Sequence, residues 1–369
     1  MRVTLDQVCY RGSSNLAQKE VSSMEGPYPI YGASGQIATA DFYHQSEPYV
    51  AVVKDGAGIG RTMLLPAYSS VIGTLQYLLP KENILPDYLC YVVRHMKLAK
   101  YFSGATIPHI YFRDYKNEEF NLEPIERQKE IVSILNKLQQ IIEHRRAQLA
   151  KLDELVKCRF VELFGDICNP CNRWSTSQIR ELVTVEPQNG LYKAQSFYVK
   201  QGATPILRID AFYNGKVTNF IHLKRLKCTP EEIKKYLLHE NDIVINRVNS
   251  IEYLGKCALI QGLLEDTVFE SNMMRFHLNE NKIDPFYATF VLSSQYTYVQ
   301  ILSKAKKAVN QASINQKDVL SLNLPVPPLH IQQQFSSFVQ HIDKLRVSIQ
   351  ASLDKTQQLF DSLMQEYFD

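Results

Sequence analysis

One stretch of this 369-residue chain occurs twice, and it limits the possible folds more than any other feature. The first copy opens at Pro124-Ile125-Glu126-Arg127-Gln128 and runs to Leu163-Phe164. The second opens at Pro328-Leu329-His330-Ile331-Gln332 and runs to Tyr367-Phe368. A single offset of 204 positions pairs them without a gap, matching Ile110 with Ile314, Asp114 with Asp318, Gln128 with Gln332, Leu149 with Leu353 and Phe164 with Phe368. The sequences between the copies differ almost completely. The chain therefore reads as variable module, constant stretch, variable module, constant stretch, with expected boundaries at 1–122, 123–167, 168–326 and 327–369.

The constant stretch predicts a long helix. Apolar residues at Ile131, Leu135, Leu138, Ile142, Leu149, Leu152, Val156 and Leu163 advance by alternating fours and threes, the spacing of a coiled-coil seam. The second copy repeats this with Phe335, Phe338, Ile342, Ile349, Leu353, Phe360 and Leu363. Neither copy holds Pro or Gly inside it until Gly165, so nothing interrupts the helix. About 39 residues at ~1.5 Å each make a rod of roughly 58 Å. Arg145 and Thr356 fall on the apolar seam and break its pattern. Since the second rod has no third module to reach, the expected arrangement is antiparallel, with pseudo-two-fold symmetry between the modules.

The modules read as mixed α/β. Tyr49–Val53 is a buried-strand run ended by the turn-rich Gly56-Ala57-Gly58-Ile59-Gly60. Pro86 precedes a helical pattern over 87–96 in which Leu89, Val92, Val93 and Met96 share a face. Glu119–Leu122 alternates polar and apolar residues like a strand. The second module keeps the order of these segments. Gly202–Ile206 echoes Gly26–Ile30, Asp242–Arg247 echoes the strand before Gly56, Leu254-Gly255-Lys256 echoes Ile59-Gly60-Arg61, and Pro285-Phe286-Tyr287 echoes Pro86-Asp87-Tyr88.

Catalytic motifs are weak. The Gly56–Gly60 run lacks the following helix that a phosphate loop needs, and reads as a turn between strands. Asp87, Asp114 and Lys116 fit the carboxylate–lysine pattern of an Mg²⁺-dependent nuclease, but the second module places Phe286 and Leu320 where Asp87 and Lys116 stand. Cys168-Asn169-Pro170-Cys171 is half of a zinc ribbon without its other half, so no metal site is expected. No amino-methyltransferase loop and no Walker A segment occurs. The seven cysteines are odd in number and scattered, which argues for a reducing compartment; with no apolar run long enough for a membrane span, a cytoplasmic location is expected.

Binding chemistry is better represented. The net charge of +3 is concentrated between the repeats, where 170–323 carries +5 against zero for 1–120. Lys54, Arg61, Arg208, Arg247 and Lys256 lie at strand ends or turns. Lys304, Lys306 and Lys307 run into Asn310-Gln311 just before Ile314, and the matching place in the first module holds His109, Tyr111 and Arg113. Such side chains neutralise phosphates or reach base edges, which makes them candidates for duplex DNA binding.

With these residues laid out, the whole chain resembles the specificity subunit of Type I restriction-modification systems. Asn121–Ile131 and Pro325–Phe335 are similar to the Pro-Leu-x-x-Gln-x-x-Ile/Phe opening of that family's constant helices. Leu163–Asp166 resembles the close of the central one, and Trp174–Val183 resembles the start of a target-recognition domain. The resemblance implies an α+β protein with two target-recognition domains joined by two long antiparallel coiled-coil helices. It implies a non-catalytic reader of a bipartite DNA target, with the helices setting half-site spacing. It also implies two methyltransferase subunits as partners, with a motor-nuclease subunit as an optional third. S-adenosylmethionine would sit on the methyltransferase, with no cofactor on this chain, and the subunits would dock on the helices and domains, the Ile131–Phe360 seam being the candidate docking surface on the helices. The nuclease, and a coiled-coil scaffold without a DNA role, stand as alternatives.

Overall fold

The computed structural model describes residues 1–369 except 57, 105–107, 170–173, 214, 218–219 and 310. The chain divides into two compact units: Met1–Leu149 with Ser348–Asp369, and Ala150–Val347. Two helices of 40 residues each, Ile125–Phe164 and Leu329–Phe368, carry the repeated stretch, and their first residues are offset by the same 204 positions. Each helix contributes one part to each unit.

In the first unit, the all-buried strand Tyr49–Val53 lies between Leu75–Pro80 and Thr62–Leu65, with Cys9–Ser13 completing an antiparallel four-stranded sheet. Five consecutive buried residues follow from the sequence, because both faces of this strand are covered. Tyr28–Gly32 pairs with Gly35–Ala40 as a hairpin and runs parallel to Ser70–Val71. The Gly/Pro-rich segment thus supplies one strand and the turn that leads into its hairpin partner. Arg2–Thr4 pairs with Glu119–Asn121 beside the start of the central helix.

The second unit is assembled in the same order from different residues. Asp242–Asn246, also wholly buried, sits between Met273–Leu278 and Cys257–Leu259, with Val183–Asn189 outermost. Thr204–Leu207 pairs antiparallel with Lys224–Leu226 and parallel with Val268–Phe269, the same handed-ness of pairing as the first unit's hairpin sheet. Thr176–Gln178 pairs with Asn323–Pro325, at the 204-residue offset from Glu119–Asn121. The second unit extends its main sheet by the short strands Phe212–Tyr213 and Gly215–Val217.

The helical seams close inside each unit. Ile131 and Leu135 share the first unit's core with Met364 and Phe368, and Arg146 reaches Gln357. In the second, Val156, Phe160 and Phe164 meet Phe335, Val339 and Ile342, and Asp153 pairs with Arg346 at 2.6 Å. Within both units one helix rises in number as the other falls, so the packed segments are antiparallel. Ile131, Leu135, Ile142, Phe335, Ile342 and Leu353 are buried, while Leu138, Leu149, Leu152, Ile349 and Phe360 are half-buried. At the two seam breaks, Thr356 Oγ1 donates to its own helix at Ser352 O (2.8 Å), whereas Arg145 reaches Gln148 (2.9 Å) but keeps its buried Nε without a partner among the described residues.

The repeated glutamines explain why the motif recurs. Gln128 is fully buried; its Oε1 accepts from Leu85 N (2.8 Å), and its Nε2 donates to Asn83 O (2.9 Å) and Glu123 O (2.8 Å). Gln332 accepts from Asp284 N (2.8 Å) and donates to Pro327 O (2.6 Å). Each thereby ties the start of a long helix to the start of a module helix, Pro86–His95 or Pro285–Leu292. Tyr88 and Tyr287 add the matching bonds to Asn121 O and Pro325 O. The central helix stops where Gly165 N closes onto Val161 O and the indole of Trp174 donates to Phe164 O at 3.0 Å.

Candidate nucleic-acid interface

The candidate residues gather on equivalent backbone frames. In the first unit, Val53 N donates to Arg61 O (2.9 Å), Gly60 N to Val53 O (2.8 Å) and Ile110 N to Lys54 O (2.9 Å). In the second, Asn246 N donates to Lys256 O (2.8 Å), Gly255 N to Asn246 O (3.0 Å) and Ile314 N to Arg247 O (2.9 Å). Gly60 and Gly255 hold φ of +78° and +76°, a conformation that side-chain-bearing residues seldom adopt. A Cβ on Gly60 would also come within 2.6 Å of Ala99 N. The frame therefore sets Lys54 opposite Arg247 and Arg61 opposite Lys256 in the comparison of modules.

A third segment joins each frame. In the first unit His109 bridges to both Asp55 and Ser103, and Gly56 N donates to Pro108 O at 3.0 Å. In the second unit Val248–Asn249 pairs with Ala312–Ser313, which pairs with Lys306–Lys307, making a β-ribbon closed by Ala308 N to Gln311 O at 2.8 Å. Ser313 stands 204 positions after His109, so the repeat register extends into the interface.

Side chains on the shared frames differ. His109 Nδ1 lies 2.7 Å from Asp55 Oδ1, its ring is nearly parallel to Tyr111, and Arg113 lies over Tyr111 at 4.9 Å. Lys54 lies 3.8 Å from Asp55, while Arg61 donates to Ala33 O at 2.8 Å. In the second unit, Lys256 Nζ sits 3.5 Å from the Tyr213 ring centroid, with Phe212 and Tyr253 at 5.3 and 5.7 Å. Burial pulls its ammonium below the usual lysine range, with Asp210 opposing. Arg208 pairs with Glu270 (3.3 Å) over Tyr198, and burial pushes the Glu270 carboxyl up despite the Ile209 N–H and Arg208. Arg247 donates to Ser271 O. Lys306, Lys307 and Gln311 are exposed, and Lys304 is half-buried at the end of the helix Gln295–Lys304. Asn310 lies outside the described residues, as do Pro170 and Cys171 of the Cys168–Cys171 motif.

Sequence reasoning passed over Asp55, Tyr213 and Tyr253. Asp55 was hidden because its partner is 54 positions away, and the aromatic cage because its rings come from separate segments. The nuclease trio does not form a unit: Asp87 opens the helix Pro86–His95, Asp114 pairs with Arg113, and Lys116 caps the short helix Phe112–Tyr115. Among the described residues, no three His, Cys, Asp or Glu side chains gather as a metal site, and no helix is long and apolar enough to cross a membrane. The six described cysteines are free thiols.

Packing within the chain buries or half-buries the helix seam, while other apolar residues of the long helices stay exposed. Ile141 and Leu345 are exposed, as are Leu155 and Leu359, and each pair is related by the 204-residue offset.

The fold and these duplicated frames define a protein with two like-built modules carried on paired long helices, each module presenting its own set of basic side chains. The chain belongs to the family described as the Type I restriction modification DNA specificity domain, whose model matches residues 1–153 and 172–358. It is 25% identical over 324 residues to the Type I restriction enzyme MjaVIII specificity subunit of Methanocaldococcus jannaschii, covering 81% of this chain and 73% of that protein. To the putative type I restriction enzyme MjaX specificity subunit of the same organism it is 29% identical over 202 residues, covering 53% of this chain and 45% of that one. The Escherichia coli EcoKI specificity subunit is 21% identical over 295 residues, with 74% and 61% covered. The matches thus span from about half to about three quarters of these relatives' lengths. The fold is that of the Type-I restriction-modification system S subunit from M. genitalium, which superposes with a TM-score of 0.66 at 14% identity, covering 100% of this chain and 96% of the other.

Proposed function

We propose that this chain is the non-catalytic DNA-reading subunit of a Type I restriction-modification complex, each module reading one half of a split target. The observation that carries the reading is the pair of equivalent frames: the same backbone hydrogen bonds present Lys54, Arg61 and His109 in one unit and Arg247, Lys256 and the Lys306–Ser313 ribbon in the other. A common scaffold with different side chains is what recognition of two different half-sites requires, since phosphate contacts position and base contacts specify. The two long helices, shared between the units, set the gap between half-sites. The partners are two methyltransferase subunits carrying S-adenosylmethionine, with motor-nuclease subunits joining them, in the cytoplasm. The exposed Ile141/Leu345 and Leu155/Leu359 pairs fit docking of two like subunits, because they occur once per repeat.

Mapping N6-methyladenine in cells that carry this chain with its methyltransferase tests the reading. Methylation confined to a motif of two short blocks separated by a fixed unspecified gap is expected. Methylation that is independent of this chain, or a single uninterrupted motif, would overturn it.

A further inference from the structure

The ribbon Lys306–Ser313 has a composition unlike the rest of the molecule. No Asp or Glu occurs between Asp284 and Asp318, while that span holds Lys304, Lys306, Lys307 and Lys317. Lys306–Lys307 is exposed while Ala312 in the paired strand is buried, and at the turn Val309 is 99% exposed, the most exposed large hydrophobic residue among the described residues. An isolated exposed aliphatic residue is ordinary on a protein surface. One held at the turn of this sheet, between lysines and a glutamine in a stretch free of Asp and Glu, presents an apolar contact to a polyanion.

The dimensions agree with a groove. Lys306–Lys307 is the exposed edge strand of a three-stranded sheet with Ala312–Ser313 and Val248–Asn249, and the major groove of B-DNA, ~12 Å wide, has room for such an edge and its turn. Lys306 and Lys307 are both exposed, which leaves their ammonium groups within reach of the phosphates that flank such a groove. The tip then meets the groove floor, where the apolar group a base pair offers is the 5-methyl of thymine.

We infer that Val309 reads a thymine 5-methyl group in the half-site bound by the second module, with Lys306 and Lys307 on the flanking phosphates. This rests on the DNA-reading function proposed above. Val309 is the specificity-determining residue, and the lysines are positioning contacts without base preference.

The test uses the full chain assembled with its methyltransferase subunits and duplexes carrying the selected target, in which each thymine is replaced in turn by uracil, which lacks only the methyl. One position in the second half-site is expected to weaken wild-type binding about fourfold, the effect of one methyl-sized group leaving an apolar contact. Val309→Ala should bind the thymine duplex correspondingly more weakly and be indifferent to uracil at that position. Because Val309 packs against nothing, the variant keeps its fold, which Trp174 fluorescence checks. Lys306→Ala and Lys307→Ala should each lower the salt slope by about one without changing the preferred sequence. If no uracil position separates wild type from Val309→Ala while two half-sites are still selected, this inference fails and the proposed function stands. If no half-sites are selected at all, both fail.

Discussion

Replacing Gln128 by Leu is expected to destabilise the first unit far more than a single polar substitution usually does. The side chain is fully buried and makes three hydrogen bonds, to Leu85 N, Asn83 O and Glu123 O. A hydrogen bond contributes about 1 kcal/mol net, and a buried donor left unpaired costs about 1–3 kcal/mol. Losing the two bonds to carbonyls at about 1 kcal/mol each and leaving Leu85 N unpaired at about 1–3 kcal/mol sums to about 3–5 kcal/mol. Gln128→Glu should be at least as damaging, because a carboxylate would face two carbonyl oxygens. Urea unfolding separates the units, as the single tryptophan, Trp174, packs in the core of the second. Gln128→Leu should lower the far-UV circular dichroism midpoint while moving the Trp174 fluorescence transition much less. Gln332→Leu should move the Trp174 transition directly, through loss of its bonds to Asp284 N and Pro327 O. A destabilisation under about 1 kcal/mol for Gln128→Leu, or equal movement of the tryptophan transition in both variants, would refute the clamp.

Further outcomes follow from the same geometry. Gly60→Ala should cost about 1–3 kcal/mol in thermal or urea unfolding, because a left-handed backbone and a backbone clash coincide there. Tyr213→Ala should free Lys256 from its nearest ring and raise the lysine's pKa toward the ordinary value, measurable by NMR titration. Since the folded-state value is the lowered one, the native protein gains stability as pH rises through it, and this rise should shrink in the variant. Deleting seven residues from both long helices, which keeps the seam in phase, should shorten the recognised gap by about three base pairs, since seven residues rise ~10.5 Å. The two half-sites should be unchanged in a bound-sequence selection, and an unchanged gap would exclude the helices as the spacer.

Much of this fold is legible in the sequence because its strongest signal is local and repeated. The heptad spacing from Ile131 to Leu163 needs no tertiary information, and Tyr49–Val53 announces a strand covered on both faces by its unbroken run of apolar residues. Interface features made from distant residues were not legible. Asp55 and His109 meet only because a bridge joins their segments, and Lys256 meets Phe212, Tyr213 and Tyr253 only after the sheet forms. The Lys306–Ser313 ribbon is also silent in sequence, since strands of two residues carry no periodicity. The buried role of Gln128 could be seen only as an unexplained recurrence at Gln332, and the partners of both amides are backbone atoms that no side-chain pattern reveals.

Selection of bound sequences from randomised duplexes, by the chain with its methyltransferase subunits, tests most directly whether two modules read two half-sites. The wild type should enrich two defined blocks at fixed separation. His109→Ala should blur one block only, and Gln311→Ala only the other. A single enriched block, or both variants blurring the same block, would contradict the assignment of one half-site to each module.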